Sequence, residues 1–198
     1  MESETETKDA IRRLMRERRK ALADDERERA SRIVCERLVC DAAIAGTADR
    51  SVGGAIAVYL ASPEEIDLSD FIRAMLVRGA TVAAPRWNGE TYELARLKSL
   101  SEDDLRRGPM KILEPACADT VEPQDVAVWI VPGLAFTMDG GRIGYGGGWY
   151  DRLLASARKD SIKIGVAHGF QAVDRLQSEP HDVLLDRVVT SETDGIQS

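Results

Sequence analysis

Six consecutive apolar residues, Val126-Ala127-Val128-Trp129-Ile130-Val131, constrain this chain more than any other segment. A strand with one wet face alternates apolar and polar residues, whereas an unbroken, β-branched run is a strand covered on both faces. Shorter runs at Ala55–Leu60, Thr81–Ala84, Tyr92–Leu97, Lys163–Ala167 and Arg187–Thr190 read as further strands. Between them lie helical patterns. Thr7–Leu22 places Ile11, Leu14, Met15 and Leu22 near one face. A second helix opens on Asp24 or Asp25, turns Ile33, Val34 and Leu38 inward and runs toward Gly46. A third opens at Asp67 or Ser69, carries Phe71, Ile72 and Met75, and takes Gly79 as its C-terminal cap. A fourth covers about Gly148 to Arg158. Pro85 is expected to stop its strand, and the polar stretch Ser99–Pro123 to form a loop with at most one short helix. Alternating helices and apolar strands predict an α/β fold with a mainly parallel sheet. The length of 198 residues predicts one domain, 1–198, with residues 1–6 disordered.

Composition narrows the function. A net charge of −7 argues against a general nucleic-acid or anionic-membrane surface. Cys35, Cys40 and Cys117 are odd in number and form no C-x-x-C pair, so a disulfide framework or zinc site is not expected and the cysteines read as small buried hydrophobes. No run is long and apolar enough to span a bilayer. The segment around Glu2, Glu4, Glu6 and Asp9 resembles neither a signal nor a transit peptide, which predicts a cytoplasmic location.

Directly after the strongest strand comes a glycine-dense loop. Seven of the 16 glycines (133, 140, 141, 144, 146, 147 and 148) fall within it. A backbone without Cβ atoms can aim several N–H groups at one point and let a bulky anion approach. The helix that follows adds its own N-terminal donors, and the carboxyl end of a strand is where open α/β sheets bind ligands. Arg142 supplies forked donors suited to phosphate oxygens, and Asp151 is placed to hold a divalent ion bridging phosphates. Tyr145, Trp149 and Tyr150 make a mere linker a poor reading. Neither G-x-x-x-x-G-K-[ST] nor a helix-opening G-x-G-x-x-G is present, so a Walker ATPase and a standard dinucleotide-binding protein are not expected. H-E-x-x-H and G-x-S-x-G are missing too, and His168 and His181 read as structural.

The segment Pro132-Gly133-Leu134-Ala135-Phe136, followed by GGRIGYGGGWYDR from Gly140 to Arg152, resembles the signature of the 5-formyltetrahydrofolate cyclo-ligase family. Lys8-Asp9-Ala10-Ile11-Arg12, Tyr59 to Asp67 with Pro85-Arg86, Ile112-Leu113-Glu114-Pro115, and Glu179-Pro180-His181-Asp182 with Asp186 and Thr190 extend the likeness over nearly the whole chain. Thr137 stands where the family often has Asp, Trp149 where it has Tyr, and Ile143 where it has Leu.

The resemblance implies a three-layer domain of the sugar-isomerase and CoA-transferase type. It implies an ATP-dependent conversion of 5-formyltetrahydrofolate to 5,10-methenyltetrahydrofolate, with release of ADP and phosphate and Mg²⁺ as cofactor. By the same likeness Lys8, Arg12 and the run Arg142, Ile143, Gly144, Tyr145, Gly146, Gly147, Gly148, Trp149 and Tyr150 would bind ATP, with Arg142 catalytic. Leu60, Glu65, Tyr145 and Trp149 would hold the reduced formylfolate, and Asp151 and Asp182 the metal, with Asp186 a competing ligand. On charge alone, Lys8 and Arg12 belong to a solvated basic helix with Arg13, Arg16, Arg18, Arg19 and Lys20. Two alternatives stay open: a non-catalytic nucleotide- or folate-binding protein, and an ATP-dependent enzyme acting on another formyl or amide group.

Overall fold

The computed structural model describes residues 7–47, 54–109, 111–177 and 183–192. Asp182, His181 and residues 1–6 lie outside the described residues.

Helix α1 (Lys8–Ala21) is capped by Thr7, whose hydroxyl accepts from the Ala10 N–H. Its buried face is Ile11, Met15 and Arg19; of the other residues expected on that face, Leu14 is exposed and Leu22 half-buried. Helix α2 (Asp24–Val39) starts one residue early: Ala23 is the cap, and the Glu26 carboxylate accepts its N–H. Cys40 closes α2, and Gly46 lies in a separate helix, α3 (Ala42–Thr47). Strand β1 (Ala55–Ala57) leads through a turn to helix α4 (Ser69–Val77). There Gly79, at φ +80°, donates to Leu76, and Ala80 donates to Met75. These paired bonds satisfy carbonyls at the helix end, as expected of a glycine at that position.

Strand β2 (Thr81–Trp87) runs through Pro85 instead of stopping there. Its parallel pairing with β1 ends at Ala57 opposite Ala83, so Pro85 lies beyond that ladder and its missing N–H costs no bond there. Strand β3 (Tyr92–Arg96) pairs antiparallel with β2. The segment expected to be a loop instead contains a hairpin, β4 (Leu105–Arg107) with β5 (Leu113–Pro115). Strand β6 (Val126–Val131) is buried along its whole length, as its composition requires. A small hairpin of β7 (Ala135–Phe136) and β8 (Arg142–Ile143) follows, then the seven-residue helix α5 (Trp149–Ala155), shorter than expected. Strands β9 (Ile162–Ala167) and β10 (Arg187–Thr190) complete the sheet.

The six sheet strands run β10-β9-β6-β1-β2-β3, parallel except for β3. This is the α/β architecture anticipated, with helices flanking a mainly parallel sheet. Its core gathers Ile56, Val128, Ile130 and Trp129 with Phe71, Ile72 and Met75 of α4. A second apolar cluster sits apart: Ile11 and Met15 of α1 pack on Leu134, Ala135 and Ile143 of the β7–β8 hairpin. That cluster fixes α1 against the base of the glycine loop. Of the cysteines, Cys35 is buried as expected, but Cys40 is exposed and Cys117 half-buried.

Candidate active site

The carboxyl ends of β1, β2 and β6 open on one side of the sheet, and two neighbouring cavities lie there. The first, of about 250 Å³, is lined by Lys8 and Arg12 of α1 and by the loop from Arg142 to Asp151. Its wall is backbone-rich because the chain must turn sharply: Gly146 has φ +105° and Gly148 has φ +62°. Arg12 Nε donates to the Gly144 carbonyl at 3.1 Å, and Arg16 donates to the Tyr145 carbonyl at 3.3 Å. These bonds turn loop carbonyls toward α1, so the basic helix and the loop close one cationic pocket. Lys8 and Arg12 are thus brought to the glycine loop.

Arg142 is almost wholly buried and makes an ion pair with Asp151 at 2.5 Å. Its other terminal nitrogen reaches the Pro132 carbonyl at 3.4 Å. The Asp151 contact engages Oδ1, while Oδ2 has no partner among the described residues. Asp151 is therefore a hard oxygen donor on the wall of a cationic cavity, suitable for Mg²⁺ beside phosphate oxygens. Among the described residues no group of three or more His, Cys, Asp or Glu side chains forms a metal cage. Asp186 is taken up elsewhere: its carboxylate accepts the Lys163 N–H at 2.6 Å.

The second cavity, of about 260 Å³, is apolar and aromatic. Tyr92 stacks on Trp149 at 5.1 Å between ring centroids, and Trp149 lies 3.9 Å from Tyr150. Leu60, Pro85 and Pro132 add apolar wall, and Glu65 adds a carboxylate. The β4–β5 hairpin contributes Leu113 and Glu114, with Glu114 anchored by Arg106 at 2.7 Å and by the Trp87 N–H at 3.0 Å. This gives a flat slot with two carboxylates on its wall, Glu65 and the already engaged Glu114, and its shape suits a planar heterocycle bearing N–H donors. Tyr145, Trp149 and Tyr150 wall both cavities.

Glu65 is held from three directions. The Ser62 N–H donates to Oε2 at 2.8 Å, the Tyr145 hydroxyl donates to Oε1, and Arg19 lies 3.8 Å from Oε1. Arg19, 2% exposed, also donates to the Glu64 carbonyl at 2.8 Å and to the Tyr145 oxygen at 2.6 Å. Sequence reasoning missed it as one more charge on a basic helix. The signal was present: Arg19 is four residues beyond Met15 and eight beyond Ile11, on the buried stripe.

Burial raises the Tyr145 phenol, and the Glu65 charge adds to that. Burial likewise keeps Tyr150 protonated, reinforced by Glu65 and opposed by Arg142. Burial pushes His168 down to about 4; its Nε2 lies 3.4 Å from the Glu64 carbonyl oxygen. Neighbouring Gln171, also buried, donates to the Gly133 and Leu134 carbonyls at 2.9 Å and so pins the start of the loop. Thr137 lines neither cavity: it accepts the Gly141 N–H at 3.0 Å and closes the β7–β8 turn.

The family model described as the 5-formyltetrahydrofolate cyclo-ligase family matches residues 4–191. A 5-formyltetrahydrofolate cyclo-ligase of Escherichia coli K12 is 28% identical over 181 residues, 89% of this chain and 96% of that protein. One of Mycoplasma pneumoniae is 38% identical over 74 residues, 37% of this chain, so the chain spans 44% of that relative's length. The solution structure of 5,10-methenyltetrahydrofolate synthetase from Aquifex aeolicus superposes with a TM-score of 0.79 at 31% identity, covering 94% of this chain and 90% of that one.

Proposed function

The chain belongs to the 5-formyltetrahydrofolate cyclo-ligase family, and from that premise we propose that it converts 5-formyltetrahydrofolate and ATP to 5,10-methenyltetrahydrofolate, ADP and phosphate. The observation that carries the reading is the pair of cavities with a common aromatic wall, one cationic and glycine-lined, the other flat and bearing two carboxylates, Glu65 and Glu114, of which Glu114 is paired with Arg106. ATP phosphates suit the first and a reduced pterin suits the second. A formamide oxygen is a poor leaving group. Phosphorylating it leaves an iminium-like carbon that N10 attacks, after which phosphate departs. The protein needs no covalent bond to either substrate. It must align the γ-phosphate with the formyl oxygen and neutralise the charge on the group in transit.

Each residue has its task in this reading. Lys8, Arg12, Arg142 and the amides from Ile143 to Trp149 hold phosphate oxygens. Glu65 accepts hydrogen bonds from ring N–H groups, held in place by Ser62, Tyr145 and Arg19. Leu60, Tyr145 and Trp149 pack against the heterocycle and keep water from the iminium carbon. Asp151 would hold Mg²⁺, whose charge screens the phosphate oxygens when bound; Asp182, outside the described residues, is the second ligand we assign. The chain works as one domain over 1–198, in the cytoplasm. Its free cysteines suit a reducing compartment, and no helix among the described residues is long and apolar enough to cross a membrane.

The test is to mix the protein with ATP, Mg²⁺ and 5-formyltetrahydrofolate and to follow the methenyl chromophore alongside ADP. One ADP per chromophore formed is the expected result. Binding of both ligands without turnover would favour the non-catalytic alternative. ATP consumption only with some other formyl or amide compound would replace the substrate.

A further inference from the structure

We propose that the Tyr150 hydroxyl is a catalytic hydrogen-bond donor to the phosphoryl group as it passes between the two cavities; this rests on the cyclo-ligase reading above. Tyr150 is 8% exposed, yet it lines both the cationic and the aromatic cavity. Its hydroxyl is buried and has no hydrogen-bond partner among the described residues.

Native proteins rarely leave such a group orphaned, because burying an unsatisfied hydroxyl costs about 1–3 kcal/mol. The other orphaned atoms are of a different kind. Arg86, Arg142 and Arg187 each lack a partner only at Nε and anchor their charge through another nitrogen, while Arg158 faces Asp160. Trp129 sits in the middle of β6, away from both cavities. Tyr150 alone has a single polar atom and sits on the shared wall. Its ring lies 5.8 Å from the Arg142 guanidinium carbon, and Glu65 acts on it from the folate side. In this proposal the hydroxyl, on a residue that lines both cavities, serves the group that crosses from one to the other.

The step balances without a proton from Tyr150. The formyl oxygen bonds to the γ-phosphorus as the bond from that phosphorus to the bridging oxygen breaks, and ADP leaves with the electron pair. The N5 lone pair moves into the carbon–nitrogen bond and leaves an iminium carbon. N10 then adds to that carbon and loses its proton to solvent, and the carbon–oxygen bond breaks with its pair going to phosphate. Negative charge collects on the phosphoryl oxygens as phosphate departs. A preorganised donor there lowers the barrier without tightening the ground state.

The test is Tyr150→Phe, which keeps the ring beside Trp149 and removes only the oxygen. We expect kcat to fall about 10²-fold, with KM for ATP and for 5-formyltetrahydrofolate each within about twofold. The melting temperature should stay level or rise, because an orphaned polar atom is gone. Unchanged kcat would overturn the proposal, as would a loss confined to either KM, or a melting temperature that falls with activity. If the unaltered protein makes no methenyl product, the cyclo-ligase reading itself falls and this inference with it. If it does and the Phe variant matches it, only the role of Tyr150 is lost.

Discussion

At the scale of single residues, the site is built from charges that each have two duties. Arg142 neutralises Asp151 in the resting protein and lines the cationic cavity in which the proposed function seats the ATP phosphates. Arg142→Ala should reduce kcat about 10²–10³-fold, the loss typical of one preorganised transition-state contact. Circular dichroism should show the fold retained, since Ile143, Tyr150 and Leu154 carry the local packing. Turnover near that of the unaltered protein would deny Arg142 its role. Glu65→Gln keeps the shape but halves the carboxylate's acceptor capacity and removes its charge. The KM for 5-formyltetrahydrofolate should rise about tenfold, a hydrogen bond to a charged group being worth roughly 1.5–3 kcal/mol, while the KM for ATP changes little. Equal rises in both would assign Glu65 to the wrong ligand. The glycine loop, Arg142 and the loop aromatics were legible because composition alone sets them apart. Arg19 was not: a run of arginines on α1 hides which one turns inward. Only the partners on the Glu64 turn and on Tyr145 identify it, and those lie 45 and 126 positions away.

At the scale of elements, those stated strongly by local pattern were found with little error. β6 is buried end to end, β10 has the bounds its sequence suggests, and α1 differs from expectation by one residue at each end. The misses share a cause. The β4–β5 hairpin consists of two three-residue strands bearing charge, held by Arg106–Glu114 and by contact with the end of β2. Nothing local announces it. α5 ends early because the Ser156 N–H folds back onto the Leu153 and Leu154 carbonyls. The loop glycines also differ among themselves. A Cβ on Gly140 would lie 2.1 Å from the Leu185 carbonyl oxygen, at φ +94°, with only backbone in its way. A Cβ on Gly146 would meet nothing nearer than 4.0 Å, so only its φ of +105° opposes substitution. Gly146→Ala should therefore cost about 1–3 kcal/mol and Gly140→Ala more, beyond about 4 kcal/mol. Urea unfolding of the two variants gives the order, and a more stable Gly140→Ala than Gly146→Ala would contradict it.

At the scale of the whole molecule, a buried neutral histidine links stability to acidity. His168 is 3% exposed, and burial, helped by the charges of Arg19 and Arg27, lowers it from 6.5 to about 4. Between those values the unfolded chain binds a proton that the folded chain refuses. The contribution is thus complete above pH 6.5 and is lost as pH falls toward 4, roughly 3 kcal/mol in all. Denaturant midpoints measured across this window should decline with acid, and His168→Gln should flatten that decline. An equal slope in both proteins would mean that other groups govern it. The strand order carries a different consequence, for how the molecule is made. β6 pairs with β1 on one side and β9 on the other, yet roughly seventy residues are translated between β1 and β6. While that stretch leaves the ribosome, β1 has β2 alone as a neighbour and shows the solvent a bare parallel edge of Ala55, Ile56 and Ala57. The nascent chain should therefore be most prone to association before residue 131 emerges, when the β6 partner of that edge is still missing.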